Sequence, residues 1–356
     1  MLNLSTIGCT QRFYDEATRY PQYILARIKS QYKGSYRIVT DKGESVAVLS
    51  GKFRHETTCL YDYPAVGDYV MVMPPEGTGQ AVIHQILKRK SVFARKAVGI
   101  AEQTQVIAAN IDIVFLCKSL NNNYNLSRLE RYLSVAWDSG ATPVVILTKA
   151  DLCKNLSAAL AEISEVAIAT DILPVSVYDC ETVAKLIPYL KSGITASFIG
   201  SSGVGKSTLI NKLLGEDAIA TNAIGKEDKG RHTTTGREMF VLPTGAIVID
   251  TPGMRELGIE AADLGKTFGD IEELVSQCRF ADCTHTAEPG CAVREAIQKG
   301  ELDGRRLQNY LKIKREARYS GLSAKEIETE KLDTMFRDLG GMKKRKNYKN
   351  LKKQDF

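Results

Sequence analysis

Between residues 23 and 87 apolar and polar positions alternate in short runs: YILARIKS, SYRIVT, ESVAVLS, GDYVMVM and AVIHQIL. A period of two marks half-buried strands, and KGS, DKG and PPEGTG supply the turns between them. Five short strands in this span suit a small closed barrel, with an OB-fold as the leading reading and an SH3-like barrel or sandwich as the alternative. From about residue 105 the rhythm changes. IDIVFLC (111–117) and PVVILT (143–148) are apolar throughout, as strands covered on both faces are. Between them SRLERYLSVAWDSG repeats apolar residues at helical spacing, which predicts a helix capped by Ser127 and stopped near Gly140. LPVSV (173–177), TASFIG (195–200) and AIVID (246–250) read as further strands. Strand and helix in alternation predict a mostly parallel sheet with helices on both faces. After about Leu264 the pattern turns helical and charged, ending in MKKRKNYKNLKK (342–353).

Composition changes this picture little. A chain of 356 residues exceeds one core and fits two or three domains. Hydrophobic content of 44% and charged content of 25% are those of an ordinary globular protein. The net charge of +6 is a mild excess that suits an RNA partner without demanding one. The first twenty residues lack a basic-then-apolar signal pattern, and no apolar run is long enough to span a bilayer. The expected location is the cytoplasm, where thiols stay reduced. Of the eight cysteines, Cys9, Cys59, Cys117, Cys153 and Cys180 are scattered and read as small buried hydrophobes.

The strongest chemical signal is GSSGVGKST, residues 200–208, directly after a predicted strand and opening the helix KSTLINKLL. Gly200, Ser201, Ser202, Gly203, Val204 and Gly205 form a loop whose backbone N–H groups can face phosphate oxygens, with the positive end of the helix behind them. Lys206 is placed to bridge the β- and γ-phosphates, Ser207 to give Mg²⁺ a hydroxyl ligand, and Thr208 is the last nucleotide-binding residue expected of the loop. TKAD (Thr148, Lys149, Ala150, Asp151) supplies the choice of base. Asp151 can accept from N1–H and the exocyclic amine of guanine, neither of which adenine presents, while Lys149 lays its stem along the purine. SVYD (176–179) ends another strand, where a backbone N–H at Ser176 or Val177 reaches the guanine oxygen.

DTPG (250–253) supplies Asp250 for Mg²⁺ through a water and the Gly253 amide for the γ-phosphate. GRHTTTGRE (230–238) holds three threonines, of which Thr234 is the expected Mg²⁺ ligand, so both segments read as switches ordered by the γ-phosphate. Met254 stands where many G proteins orient the attacking water with glutamine, which leaves His232 as the candidate catalytic residue beside Lys206 and Thr234, with partner binding or loop capping as the alternative for that histidine. A metabolic phosphate-loop kinase and a silent RNA-binding protein with GTP as a structural ligand are the rival readings.

The guanine motif thus precedes the phosphate loop, as if a G domain had been cut and rejoined. AANIDIVFLCKSL, NLSRLERYL, GSSGVGKSTLIN, GRHTTTGRE, DTPGMREL and the cluster below together resemble the circularly permuted GTPases of the ribosome small-subunit-dependent GTPase A family. Thr148 departs from the asparagine of many members. With the patterns above, the resemblance implies an N-terminal extension plus an RNA-binding OB-fold barrel over 1–95, a permuted α/β P-loop GTPase domain over 96–264, and an α-helical zinc-binding domain with a basic tail over 265–356. It implies GTP and GDP as ligands, and a cytoplasmic monomer that acts late in assembly of the small (30S) ribosomal subunit, binds its 16S rRNA, is stimulated by it and then leaves it.

Cys278, Cys283, His285 and Cys291 follow C-x4-C-x-H-x5-C, and three thiolates with one imidazole suit a structural zinc. Three reduced core cysteines beside an unrelated histidine is the other reading. Lys29, Lys33, Tyr36, Arg37, Lys52, Phe53 and Arg54 offer the barrel basic and aromatic groups for RNA, although a solvated charged face serves equally for each. Chain order suggests that the barrel meets the G domain on its guanine-reading side and the zinc helices on its switch side.

Overall fold

The computed structural model describes residues 3–75, 77, 79–96, 104–120, 125–201, 203–219, 237–250 and 267–318. Five strands, β1 (Ile24–Gln31), β2 (Tyr36–Thr40), β3 (Gly43–Leu49), β4 (Tyr69–Met73) and β5 (Ala81–Ile86), close in the order β1-β2-β3-β5-β4 and back to β1. All pairings are antiparallel except β3 with β5, and this is the OB-fold. Alternation drives closure: Ala26, Ile28, Ile38, Ala47, Val70, Val72, Ala81 and Ile83 point inward and make the barrel core. Tyr36 joins them, so it is not a surface ring open to RNA.

A hairpin, β6 (Val92–Lys96) with β7 (Thr104–Ala109), lies where the sequence suggested only a basic connector. The nucleotide-binding layer follows: β8 (Ile113–Ser119), β9 (Thr142–Thr148), β10 (Asp171–Val175), β11 (Thr195–Ile199), β12 (Glu238–Val241) and β13 (Ile247–Asp250). Their spatial order is β10-β9-β8-β11-β13-β12, parallel throughout except for β12. Helices cover both faces. α3 (Leu126–Ser139) packs Leu129, Tyr132, Leu133 and Ala136 on one side, and α6 (Lys206–Leu214) packs Leu209 and Ile210 on the other. α3 ends at Gly140 in the left-handed region as expected, but its cap is Asn125, whose side chain accepts from the Arg128 N–H at 3.0 Å, and not Ser127. Of the five scattered cysteines only Cys117 is buried, while Cys180 is exposed and the other three are half-buried.

The barrel joins the sheet edge through one pairing, Ser30 of β1 with Glu238 of β12. It therefore sits at the edge opposite the guanine-reading strands, which corrects the placement suggested by chain order. Chain proximity misled because β12 and β13, though late in sequence, lie between the phosphate-loop strand and the barrel. The N-terminal segment is built into the junction, with Leu4, Ile7 and Phe13 buried and Phe13 stacked 3.9 Å from Tyr69. At its centre is Arg27, 1% exposed. Its guanidinium donates to the carbonyls of Ile7, Gly67 (3.2 Å) and Asn110 (3.5 Å) and to the hydroxyl of Thr195 (3.0 Å). One cation thus satisfies acceptors from the N-terminal segment, the barrel, the domain connection and β11. Beside it the fully buried Asp68 takes two bonds from Arg89, at 2.7 and 2.8 Å.

Of the C-terminal helices α7 (Gly269–Ser276), α8 (Ala292–Lys299) and α9 (Gly304–Arg318), α9 docks on α3, and α7 packs against α8. Glu130, wholly buried on α3, accepts from Arg306 (2.8 Å), Arg305 (3.5 Å) and Asn309. Arg306 in turn holds Asp270 bidentately and the Thr267 carbonyl. Replacing Arg27 with methionine keeps the bulk but orphans several buried acceptors, so Arg27→Met is expected to lower unfolding free energy by about 3 kcal/mol in urea titrations.

Candidate nucleotide and metal sites

The sheet reverses its direction of winding between β8 and β11, and open α/β sheets bind ligands beyond the strand ends at such a point. The phosphate loop starts there. Its glycines serve two different needs. At Gly200 an added Cβ would lie 2.4 Å from the Cys117 carbonyl, so this glycine lets the loop leave the sheet against β8. Gly203 (φ +74°) and Gly205 (φ +96°) hold the left-handed backbone that turns the loop into α6. Val204 is buried against the helix core. The Lys206 ammonium lies across the loop, donating to the carbonyls of Gly200 (2.7 Å) and Ser201 (3.0 Å), and Ser207 and Thr208 occupy the first turn of α6.

TKAD is tied directly to this loop. Thr148 is buried at the end of β9 and its hydroxyl gives its single proton to the Val204 carbonyl, at 2.6 Å. Lys149 adopts the left-handed region (φ +57°), which carries its side chain across the loop to donate to the Gly203 carbonyl at 3.0 Å. Strain at such a residue persists only where neighbours hold it, and here they are the phosphate loop itself. Asp151 is exposed in the short turn Ala150–Leu152. At the end of β10, Ser176 is buried and its N–H donates to Thr182 Oγ1 at 3.0 Å. The Val177 N–H has no acceptor among the described residues, so it and not Ser176 is the amide open to a purine oxygen.

Asp250 ends β13, one strand beyond β11, with Ser197 of β11 donating to the neighbouring Ile249 carbonyl at 3.0 Å. Ser202, His232, Thr234 and Gly253 lie outside the described residues. One residue was missed from sequence: Lys118, buried at the tip of β8, whose ammonium reaches the Asn125 carbonyl. Burial first, then the Arg128 charge, brings its pKa down to about 8. Its signal was a lone cation closing the apolar run IDIVFLC.

The second cluster brings all four predicted ligands together. Cys278 follows α7, Cys291 caps α8, and the ligand atoms of Cys278, Cys283, His285 and Cys291 lie within 4.8 Å of one another. Cys278 Sγ is 3.6 Å from His285 Nδ1 and 3.9 Å from Cys291 Sγ, and Cys291 Sγ is 3.5 Å from His285 Nδ1. A tetrahedral zinc with ordinary bond lengths separates its ligand atoms by about 3.5–3.8 Å, so the donor set fits that ion. Burial, then the Lys314 charge, holds His285 below its usual pKa, favouring the neutral imidazole that a metal requires.

A family model described as "RsgA GTPase" matches residues 86–260. A Lactiplantibacillus plantarum protein named "Small ribosomal subunit biogenesis GTPase RsgA 2" is 47% identical over 344 residues, covering 96% of this chain and 97% of its own. This chain belongs to the RsgA GTPase family. An Opitutus terrae relative named "Small ribosomal subunit biogenesis GTPase RsgA" is 43% identical over 88% of the chain and 87% of its own. The crystal structure of YjeQ from Thermotoga maritima superposes with a TM-score of 0.61 at 26% identity, over 83% of this chain and 98% of that one. YloQ, titled a circularly permuted GTPase, agrees in fold with a TM-score of 0.59 at 24% identity, over 83% and 95%. The chain is therefore a GTPase of permuted topology, and a guanine nucleotide is its substrate.

Thr148→Val removes the hydroxyl and leaves the Val204 carbonyl unpaired, so affinity for a fluorescent GDP analogue is expected to fall about tenfold, with Thr148→Ser restoring it. Stripping metal with a strong chelator is expected to lower the melting temperature and to detach α7–α9 from α3 in hydrogen exchange, while re-added zinc reverses both.

Proposed function

We propose that this protein is a GTP-driven switch acting on the small (30S) ribosomal subunit late in its assembly, with hydrolysis stimulated by the subunit. The observation that carries the site assignment is the pair of bonds from Thr148 and Lys149 to the phosphate loop, which puts the base-reading and phosphate-holding segments in one place. The small-subunit role rests on the names of relatives that match nearly the whole chain. Cytoplasmic location, a monomeric state and contact with 16S rRNA belong to the same proposal. So do functional units over 1–95, 96–264 and 265–356.

In this reading Asp151 accepts from N1–H and the exocyclic amine of guanine, Val177 donates its N–H to the guanine oxygen, and Lys149 lies along the purine. Thr148 contributes as a strut, because its proton is already given to Val204. The N–H groups of 201–205 and the end of α6 hold the phosphates, and the Lys206 ammonium exchanges the Gly200 and Ser201 carbonyls for phosphate oxygens. Ser207, Thr234 and Asp250 are the residues assigned to Mg²⁺, which when bound offsets charge on the β- and γ-phosphates. The Gly253 amide reads the γ-phosphate, and His232 orients the attacking water that Met254 cannot. Cys278, Cys283, His285 and Cys291 take one zinc as a closed structural site.

GTP turnover by the purified protein is expected to be slow and to rise severalfold or more with purified 30S particles, and His232→Ala is expected to lose that rise while retaining nucleotide binding. Rapid turnover without subunits, or the same rate with and without them, would overturn the switch reading.

A further inference from the structure

The loop that carries the nitrogen ligand of the metal cluster is folded around one carboxylate. Glu288 accepts from the Thr284 N–H (2.9 Å) and the Thr284 hydroxyl on Oε1, and from the N–H groups of Thr286 (3.0 Å) and Ala287 (3.1 Å) on Oε2. We propose that Glu288 is the positioning residue of the metal site, holding His285 in the backbone conformation that aims its imidazole at the three sulfurs. The inference rests on the zinc reading of the cluster and adds a residue outside its donor set, one that the spacing of the ligands does not reveal.

His285 needs such a holder. Its φ of +62° lies in the left-handed region, where a residue with a Cβ is strained and persists only if its neighbours fix it. The conformation serves the cluster twice. It puts Nδ1 3.6 Å from Cys278 Sγ and 3.5 Å from Cys291 Sγ, and it turns the His285 N–H toward the Cys283 sulfur. Glycine here would relax the backbone but bring no ligand. The donors to Glu288 come from both sides of His285, Thr284 before it and Thr286 and Ala287 after it, so the carboxylate closes the loop across the strained residue. Thr286 adds a further tie: its hydroxyl donates at 2.8 Å to that of Thr284, whose own proton goes to Glu288.

The three sulfurs are placed without Glu288. The Cys278 N–H donates to the Val275 carbonyl at 3.2 Å where α7 ends, the Cys283 N–H donates to the Phe280 carbonyl at 3.2 Å, and Cys291 is the N-cap of α8. The two ends of the loop are also joined, by the Arg279 N–H donating to the Gly290 carbonyl at 3.1 Å. His285 lies in no helix or strand, and Thr284, Thr286 and Ala287 beside it are exposed, so apolar packing does not fix their backbone. Charge matters for this reason. A carboxylate accepts from N–H groups about twice as strongly as a neutral oxygen does, and it has room for every one of these donors. Glutamine has the same shape but presents an NH₂ group in place of one oxygen, so the donors on that side would face another donor.

The test uses the whole chain loaded with zinc and reads zinc affinity by competition with a chromogenic chelator. Glu288→Gln is expected to weaken zinc binding roughly ten- to a hundredfold. Thr284→Val, an exposed change that removes one donor to the carboxylate, is expected to weaken it by a smaller factor. In a His285→Ala background Glu288→Gln is expected to cost little more, because Glu288 acts through the histidine. With Co²⁺ in place of zinc, Glu288→Gln is expected to keep the thiolate-to-metal charge-transfer band and to change the d–d bands, as loss of the nitrogen ligand alone does. Equal zinc affinity in wild type, Glu288→Gln and Thr284→Val would overturn the proposal. So would an equal loss from Glu288→Gln with and without His285, which is what general loosening of the loop gives. If Glu288→Gln fails to fold, Thr284→Val decides. A wild-type chain that takes up no zinc would overturn the zinc reading itself and the proposal with it, whereas every other outcome leaves that reading standing.

Discussion

The structure depends on satisfying one buried cation. Arg27 has no ion-pair partner among the described residues, and its charge is stabilised by three carbonyls, one hydroxyl and the Tyr69 ring at 4.9 Å. Each acceptor comes from a different part of the chain, and none is replaceable by water in so closed a place. The barrel therefore cannot pivot on the sheet without orphaning several groups at once. Around this point Lys90 pairs with Asp112, whose other oxygen accepts from the Thr195 N–H, and Asn110 binds Lys90 N and the Gly67 carbonyl. Polar networks of this kind define one relative orientation because every alternative leaves something unbonded.

That orientation bears on switching. β12 pairs with β1 through Ser30 and Glu238, and Glu238 directly follows the segment 230–237 that carries His232 and Thr234. On its other side β12 pairs along its length with β13, which ends at Asp250. Both segments read as switches are thus attached to strands beside the barrel. Among the described residues the strands that flank both segments lead to the barrel through β12, the reverse of what chain order suggests.

Local chemistry was legible in the sequence and long-range chemistry was not. The five barrel strands, the phosphate loop and the four metal ligands announce themselves because period, glycine spacing and ligand spacing are properties of neighbours. The role of Leu4, Ile7 and Phe13 was hidden because three apolar residues in a short segment have no period. Arg27 was hidden because a lysine- or arginine-bearing strand ordinarily points its cations at solvent, and only the junction reverses this. Gly200 looked like its two companions, but the reason for it is the Cys117 carbonyl on a strand eighty residues earlier. The hairpin β6–β7 was read as a connector since its alternation is broken by basic residues, and Asn125 lost to Ser127 because both are good caps two positions apart.

The permuted order answers to this geometry. A parallel sheet needs only that strand ends meet at one edge, and the two contacts from TKAD to the loop show the edge assembled whichever strand comes first. What permutation changes is which module each outer edge receives. Rejoining the chain gives β12, next to the switches, to the barrel. It leaves α3, which connects β8 to β9, the strand that ends in TKAD, to the C-terminal helices through the buried Glu130 and Arg306. A buried pair of this kind is costly to break because the lone charge stays in the interior. The C-terminal helices are therefore anchored to α3, as Arg27 anchors the barrel at the other edge of the sheet. The phosphate-loop strand β11 thus lies between the two anchored places, with β8 and α3 on one side and β13, β12 and the barrel on the other.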